Sequence, residues 1–235
     1  MSAASAWGEF WNRADTGVYV NQRNLEAHFA CLAAGLAPYM PAGGAVLDYG
    51  CGDALAAGEL AQRCASLTLY DAAPAVRRRL KERYAKHPRI RIADSDGADA
   101  LPEGAFDVVT VVSVVQYVPP AELPALLRRW RGLLKPGGHL ILADVVPPET
   151  PLLRDVASQL SFAAANGFFG PAVLGIVKLA LSDYREIRKT AGFSMYDAET
   201  MLKLLSEAGF QPAERLTPNI GPTPHRLSFK GTAPA

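Results

Sequence analysis

Two glycines one residue apart, Gly50 and Gly52, follow the carboxylate of Asp48. Glycine turns the backbone sharply and lets a ligand approach closely, because it has no side chain and adopts left-handed angles. Ala45-Val46-Leu47 before them reads as a strand, and Asp53 to Leu60 after them as the start of a helix. Strand, glycine turn and helix together present backbone N–H groups to a nucleotide-like ligand. One nucleotide signature is excluded and another matches poorly. No GxxxxGK[ST] occurs, and GxGxxG would need a glycine where Leu55 stands. Cys31, Cys51 and Cys64 show no CxxC or Cys/His spacing, so neither a disulfide framework nor a zinc site is expected, and a reducing compartment fits.

The elements that must hold this loop alternate along the chain. Strands are predicted at 45–49, 67–71, 90–94, 106–112 and 139–145, with helices at 53–64, 74–85 and 120–133 between them. Phe106 to Val112 is nearly continuous in apolar residues and suits a strand buried on both faces. Such alternation implies a parallel sheet with right-handed crossovers. A helix over 197–208 returns to the core. Two final strands, 211–218 and 225–231, are joined by a connection short enough to make them antiparallel. The expected fold is therefore α/β: a three-layer, doubly wound, seven-stranded sheet, mostly parallel, with a C-terminal antiparallel hairpin.

One domain of 235 residues accounts for the length, and 49% hydrophobic residues support a core. Within it we expect an N-terminal helical cover (7–37), a ligand-binding core (40–146), a helical lid or insert (147–192) and a C-terminal helix and hairpin (193–235). The net charge of +1 gives no global bias toward nucleic acid or anionic membrane. Arg77-Arg78-Arg79, Lys81 and Arg83 read as the solvated face of an amphipathic helix whose other side carries Val76, Leu80 and Tyr84. No secretion signal is seen, which points to the cytoplasm. From Val156 to Val177, 22 residues carry no charge. Asn166-Gly167 and Gly170-Pro171 divide them into two short helices, so a buried lid or an oligomer interface is expected rather than a membrane span.

Val46 to Ala54 resembles the first motif of the class I S-adenosylmethionine (SAM) dependent methyltransferases, small-molecule type. Three further stretches agree in order. Asp71 closes the second strand, 23 residues after Asp48; Phe106-Asp107-Val108-Val109 opens the fourth; and Leu133 to Leu140 resembles the family's loop into the fifth. The resemblance covers about 40–146, and Ala54 departs from it where a third glycine often stands. It implies SAM as donor, S-adenosylhomocysteine as product and no metal. Asp71 would accept from both ribose hydroxyls, with Ala72 beside it, or cap the following helix. Asp94 would accept from the adenine amino group (Asp96 if the register is off by two), with Ser95 offering an N–H. Asp48 would sit beneath the loop near the ligand's ammonium group, and Ser113 would border the ligand through its backbone. Tyr19 would close over the methionine part, or simply pack.

Methyl transfer from a sulfonium is an in-line displacement, so such an enzyme mainly positions the nucleophile and excludes water. The core motifs therefore leave the acceptor open. Candidates for contact with it are His28, Gln116, Tyr117, Tyr184 and Arg188, each with a competing packing or solvent-facing reading. The same holds for Arg185, Asn219, His225 and Arg226, while His139 reads as structural. Phe162, Phe168, Phe169, Val173, Leu174 and Ile176 would line a lid over an apolar small molecule or meet a second subunit. The expected partner is a small-molecule substrate, not nucleic acid, with the chain a monomer or a homodimer through the apolar insert. The competing functional classes are a non-catalytic SAM-binding protein and an NAD(P)-dependent oxidoreductase.

Overall fold

The computed structural model describes residues 7, 9–12, 21–93, 101–148, 152–180 and 192–235. Seven strands, β1 (Ala45–Tyr49), β2 (Ser66–Tyr70), β3 (Ile90–Ile92), β4 (Phe106–Val112), β5 (Leu134–Val145), β6 (Ala213–Leu216) and β7 (Leu227–Thr232), form one sheet in the order β3-β2-β1-β4-β5-β7-β6. The first five pair in parallel, and β7 runs antiparallel between β5 and β6. This is the expected doubly wound sheet with its C-terminal hairpin.

Helices α1 (Gln22–Leu36), α2 (Ala57–Ala61), α3 (Pro74–Tyr84), α4 (Leu123–Leu133), α5 (Leu152–Ala165), α6 (Phe169–Ala180) and α7 (Ala198–Glu207) complete the chain order. Their ends follow local chemistry. Asn21 and Asp197 accept from the N–H groups of Asn24 and Thr200 and cap α1 and α7, while proline occupies the first turn of α3 and α4.

Burial explains why the central strands are apolar on both faces. One layer packs Trp130, Leu127, Met201, Phe210 and Phe229 against Val109 and Leu140. The other packs Leu36, Leu60, Val76 and Leu80 against Val46 and Leu67. Two elements differ most from expectation. β5 starts at Leu134 rather than 139, because Lys135-Pro136-Gly137-Gly138 stays in the strand as an irregularity opposite Phe106 and Val108. The helix after β1 shrinks to Ala57–Ala61, because residues 53–56 are spent on turns.

At the amino-terminal edge Asp107 ties three strands together. Its Oδ2 accepts from the Ala45 N–H and from Lys135 Nζ, both at 2.7 Å. Partial burial works against its charge, but these two donors hold its carboxyl below the usual range. His139 also lies at this end, with Thr232 Oγ1 3.2 Å from its Nδ1.

Candidate functional site

At the carboxyl edge of the sheet the chain leaves β1 through the glycine turn. The N–H groups of Gly50 and Cys51 both donate to the Tyr70 carbonyl at the end of β2. Gly50 has φ 74°, and a Cβ there would lie 2.4 Å from Val114 Cγ2, so no side chain fits. Gly52 has φ 55° and open space where a Cβ would be. Ala54 also adopts a left-handed angle, φ 44°. The position that departs from the family pattern thus keeps a glycine-like backbone.

Asp71 pins this turn. Its Oδ2 accepts from Gly52 N–H at 3.0 Å and its Oδ1 from Ala73 N–H at 2.8 Å. Burial raises its pKa, against the pull of those two N–H groups and of Arg77. The helix-cap alternative does not hold, because Ala73 is the N-cap of α3 and has no side-chain cap; Asp71 instead makes an Asx turn just before the helix, and the same carboxylate also fastens the glycine loop. Asp48 takes its hydrogen bond from Thr110 Oγ1, 2.8 Å away on β4. Burial of its carboxyl group is the main reason its pKa is pushed up to about 6; Thr110 opposes the shift and the charge of Asp71 adds to it. The Cys51 thiol is held well above its ordinary value by burial and by the charges of Asp48 and Asp71, so it offers no thiolate.

The basic side chains of α3 correct one expectation. They are not simply a solvated face. Arg79 contacts Asp53 Oδ1 at 3.1 Å, Arg83 donates to the Asp53 carbonyl, and Tyr84 Oη donates to the Ala54 carbonyl at 2.6 Å. Buried Arg77 donates to the carbonyls of Asp71 and Ala72. The helix behind the loop clamps it from outside. The signal lay in Asp53, an acid within a strand-turn motif followed by a basic helix.

Past β4 the adjacent strand ends carry a second polar pair. Ser113 and Asp144 both have left-handed backbones, φ 57° and 60°. Ser113 Oγ donates to Asp144 Oδ2 at 2.6 Å, and Ser113 N–H donates to Ala143 O. His28 of α1 lies within reach of the charge on Asp144; burial lowers its pKa and Asp144 counters this. The sequence reading passed over Asp144, whose only signal was an acid inside the apolar run Leu140 to Val146.

Tyr117 sits among aromatic rings, 4.6 Å from Trp7, 5.5 Å from Trp11 and 6.0 Å from Phe193 between centroids. Trp7 Nε1 donates to the Gly192 carbonyl, while Asn12 Oδ1 accepts from Ala75 N–H at 2.8 Å. Trp7 thus lies by the turn after β4 and Asn12 at the first turn of α3. Gln116 is 5% exposed, and its Oε1 finds no partner among the described residues.

The insert is the pair α5–α6. Ala163, Phe168 and Ala172 form its small core with Leu160, Phe162 and Ala27 of α1. Asp155 of α5 is bonded by Arg226 at 3.0 and 3.1 Å and lies 2.7 Å from His225 Nε2; Ser158 Oγ is 3.4 Å from His225 Nδ1. His225 and Arg226 thus latch the insert to the β6–β7 connection instead of serving the hairpin alone. The apolar residues expected as one lining face divide. Phe162 and Phe168 pack inward, whereas Phe169 and Leu174 are 51% and 66% exposed. Among the described residues no helix is long and apolar enough to cross a membrane.

The structure thus brings Asp48, Gly50, Gly52, Asp71 and Ala72 together at the ends of β1 and β2, and Ser113 and Gln116 beyond the end of β4. Tyr117 is drawn into the aromatic cluster, and His28 approaches from α1. Tyr19, Asp94, Asp96, Ser95, Tyr184, Arg185 and Arg188 lie outside the described residues, as does the polar helix expected over 182–189.

Comparison with known proteins agrees with this geometry. Residues 47–142 match a family described as a methyltransferase domain. The chain is similar to an uncharacterized methyltransferase of Mycobacterium tuberculosis, 37% identical over 123 residues, covering 52% of this chain and 59% of the relative. It is also similar to the trans-aconitate 2-methyltransferase of Methylobacterium radiotolerans, 35% identical over 134 residues, covering 55% and 49%. The match spans about half the length of these curated relatives. In fold it is similar to the N-methyltransferase NodS of Bradyrhizobium japonicum in complex with S-adenosylhomocysteine, with a TM-score of 0.59, 18% identity and 100% of each chain covered. With its sheet order, its glycine turn behind Asp48 and its strand-end Asp71, the chain has the fold of the class I SAM-dependent methyltransferases, and its residues 47–142 match a methyltransferase domain.

Proposed function

We propose that this protein binds SAM over the ends of β1 and β2 and transfers its methyl group to O, N or C of a small, partly apolar molecule. The observation that carries this reading is Asp71, a strand-end carboxylate held by two backbone N–H groups beside the glycine turn. Each of its oxygens accepts one N–H and retains a lone pair, a donor-free face that fits the two hydroxyls of a ribose. SAM bound there supplies an electrophilic methyl group on a sulfonium.

The chain's own part is to hold and to exclude. Gly50 and Gly52 keep the loop free of side chains, and Asp48, once ionised, complements an ammonium group. Ser113 borders the ligand through its backbone, and Ala72 lies beside the ribose. Tyr19, Asp94 and Ser95 complete the donor site at its methionine and adenine ends. His28, Gln116, Tyr117, Tyr184 and Arg188 belong to the acceptor side. We place the protein in the cytoplasm as one methyltransferase domain, a monomer or a homodimer through the exposed face of α6, with no nucleic-acid partner.

Calorimetry with S-adenosylhomocysteine tests the donor site. Asp71→Ala weakens binding by about 1–3 kcal/mol, the scale for lost charged hydrogen bonds. An unchanged affinity in a folded variant removes the ribose role, and tight NAD(P) binding with no response to SAM removes the donor assignment. Conversion of SAM to S-adenosylhomocysteine with a metabolite panel separates an enzyme from a SAM-binding protein without activity.

A further inference from the structure

The strand order reverses between β1 and β4, and open α/β sheets bind ligands at such a switch point. The donor reading occupies the β1/β2 side of it. The β4/β5 side carries a separate polar set. Ser113 and Asp144, neither of them glycine, are both held in left-handed backbone and joined at 2.6 Å. That bond occupies Oδ2. Among the described residues Oδ1 of Asp144 takes no hydrogen bond, and no cation stands within ion-pair distance of it. The acid on the insert, Asp155, is by contrast satisfied by Arg226 and His225. Gln116, on the turn after β4, buries an Oε1 with no partner among the described residues. Leaving such an acceptor unpaired is costly unless a ligand donates to it. His28 of α1 lies within reach of the charge on Asp144, its imidazole favoured in the neutral form by burial.

We propose that Asp144 is the acceptor-side carboxylate of a methyl-transfer site over the ends of β4 and β5, which takes a nucleophile bearing a proton, a hydroxyl or an amine, rather than a carboxylate. The proposal rests on the SAM reading above. An O–H or N–H donates to the open oxygen of Asp144, and Gln116 Oε1 accepts a second donor of the same molecule. A carboxylate acceptor would meet an uncompensated like charge. In the transfer, a lone pair on the acceptor's oxygen or nitrogen forms the bond to the methyl carbon. The carbon–sulfur bond breaks with its electron pair left on sulfur, and the acceptor's proton passes to Asp144.

The test uses the full chain loaded with S-adenosylhomocysteine and three matched fragments, benzyl alcohol, benzylamine and benzoate, titrated by ligand-observed NMR. The alcohol and the amine are expected to bind at least tenfold more tightly than benzoate. Asp144→Asn, which tolerates the left-handed backbone, is expected to weaken benzylamine at least tenfold and to erase the discrimination against benzoate. Affinity for S-adenosylhomocysteine stays within twofold. Preference for benzoate in the unaltered protein, an unchanged ranking in Asp144→Asn, or no fragment binding to the loaded protein overturns the proposal. Failure to bind S-adenosylhomocysteine at all removes the donor reading instead, and this proposal with it.

Discussion

The two halves of the carboxyl edge are built on different principles. On the β1/β2 side the chain folds back on itself over short distances, and the turn is held largely by backbone. Gly50, Cys51 and Gly52 donate to Tyr70 and Asp71, and α3 closes the loop from outside with Arg79, Arg83 and Tyr84. On the β4/β5 side the wall is made of side chains from distant segments. Asp155 meets His225 and Arg226 some 70 residues away, Ser113 meets Asp144, and Phe168 meets Ala27. Backbone contacts of the first kind suit a ligand part that never changes. Side-chain contacts of the second kind can be altered without disturbing the sheet.

That contrast can be broken at four places. Gly50→Val forces a side chain into Val114 at a left-handed backbone position. It is expected to cost about 3 kcal/mol locally and to abolish S-adenosylhomocysteine binding in calorimetry; retained affinity would mean that the loop is not the donor site. Asp155→Ala leaves Arg226 and His225 without their carboxylate. About 2–3 kcal/mol of stability is expected to be lost in urea unfolding, with donor affinity unchanged, so a parallel loss of affinity would show that the halves are coupled.

The third prediction concerns pH. The folded protein keeps a proton on Asp48 up to about pH 6, the unfolded chain only to about 4. The stability contributed by that site is full below about pH 4 and is lost as the pH rises through 6, by about 2–3 kcal/mol. Asp48→Asn should flatten this part of the stability curve; a slope that persists assigns it to another group. The smallest effect is expected from Ala54→Gly, which relieves the left-handed alanine by about 1 kcal/mol. A fall in melting temperature would mean that the buried methyl of Ala54 outweighs the backbone.

The donor half could be read from residue order because its contacts join motifs: a strand, two glycines, and an acid at the end of the next strand. The sheet followed for the same reason, since apolar runs such as Phe106 to Val112 carry their own signal of burial. The acceptor half was far less legible. A hydrogen bond between Asp155 and His225 leaves no local pattern, and His225 looked like part of a turn. Arg79 and Arg83 read as solvated because two charges four residues apart share one helix face, a pattern that says nothing of what lies above them. Asp144 was hidden differently: one acid in an apolar strand reads as noise until its backbone angle and its bond to Ser113 are seen together.

Residues 7 and 9–12 join parts of the fold that are far apart in sequence. Trp7 is held by Tyr117, Phe10 and the Gly192 carbonyl, Trp11 packs on Phe10 and Tyr117, and Asn12 accepts from the Ala75 N–H at the start of α3. One short piece of chain thus ties the turn after β4 to the helix that closes the glycine loop from outside.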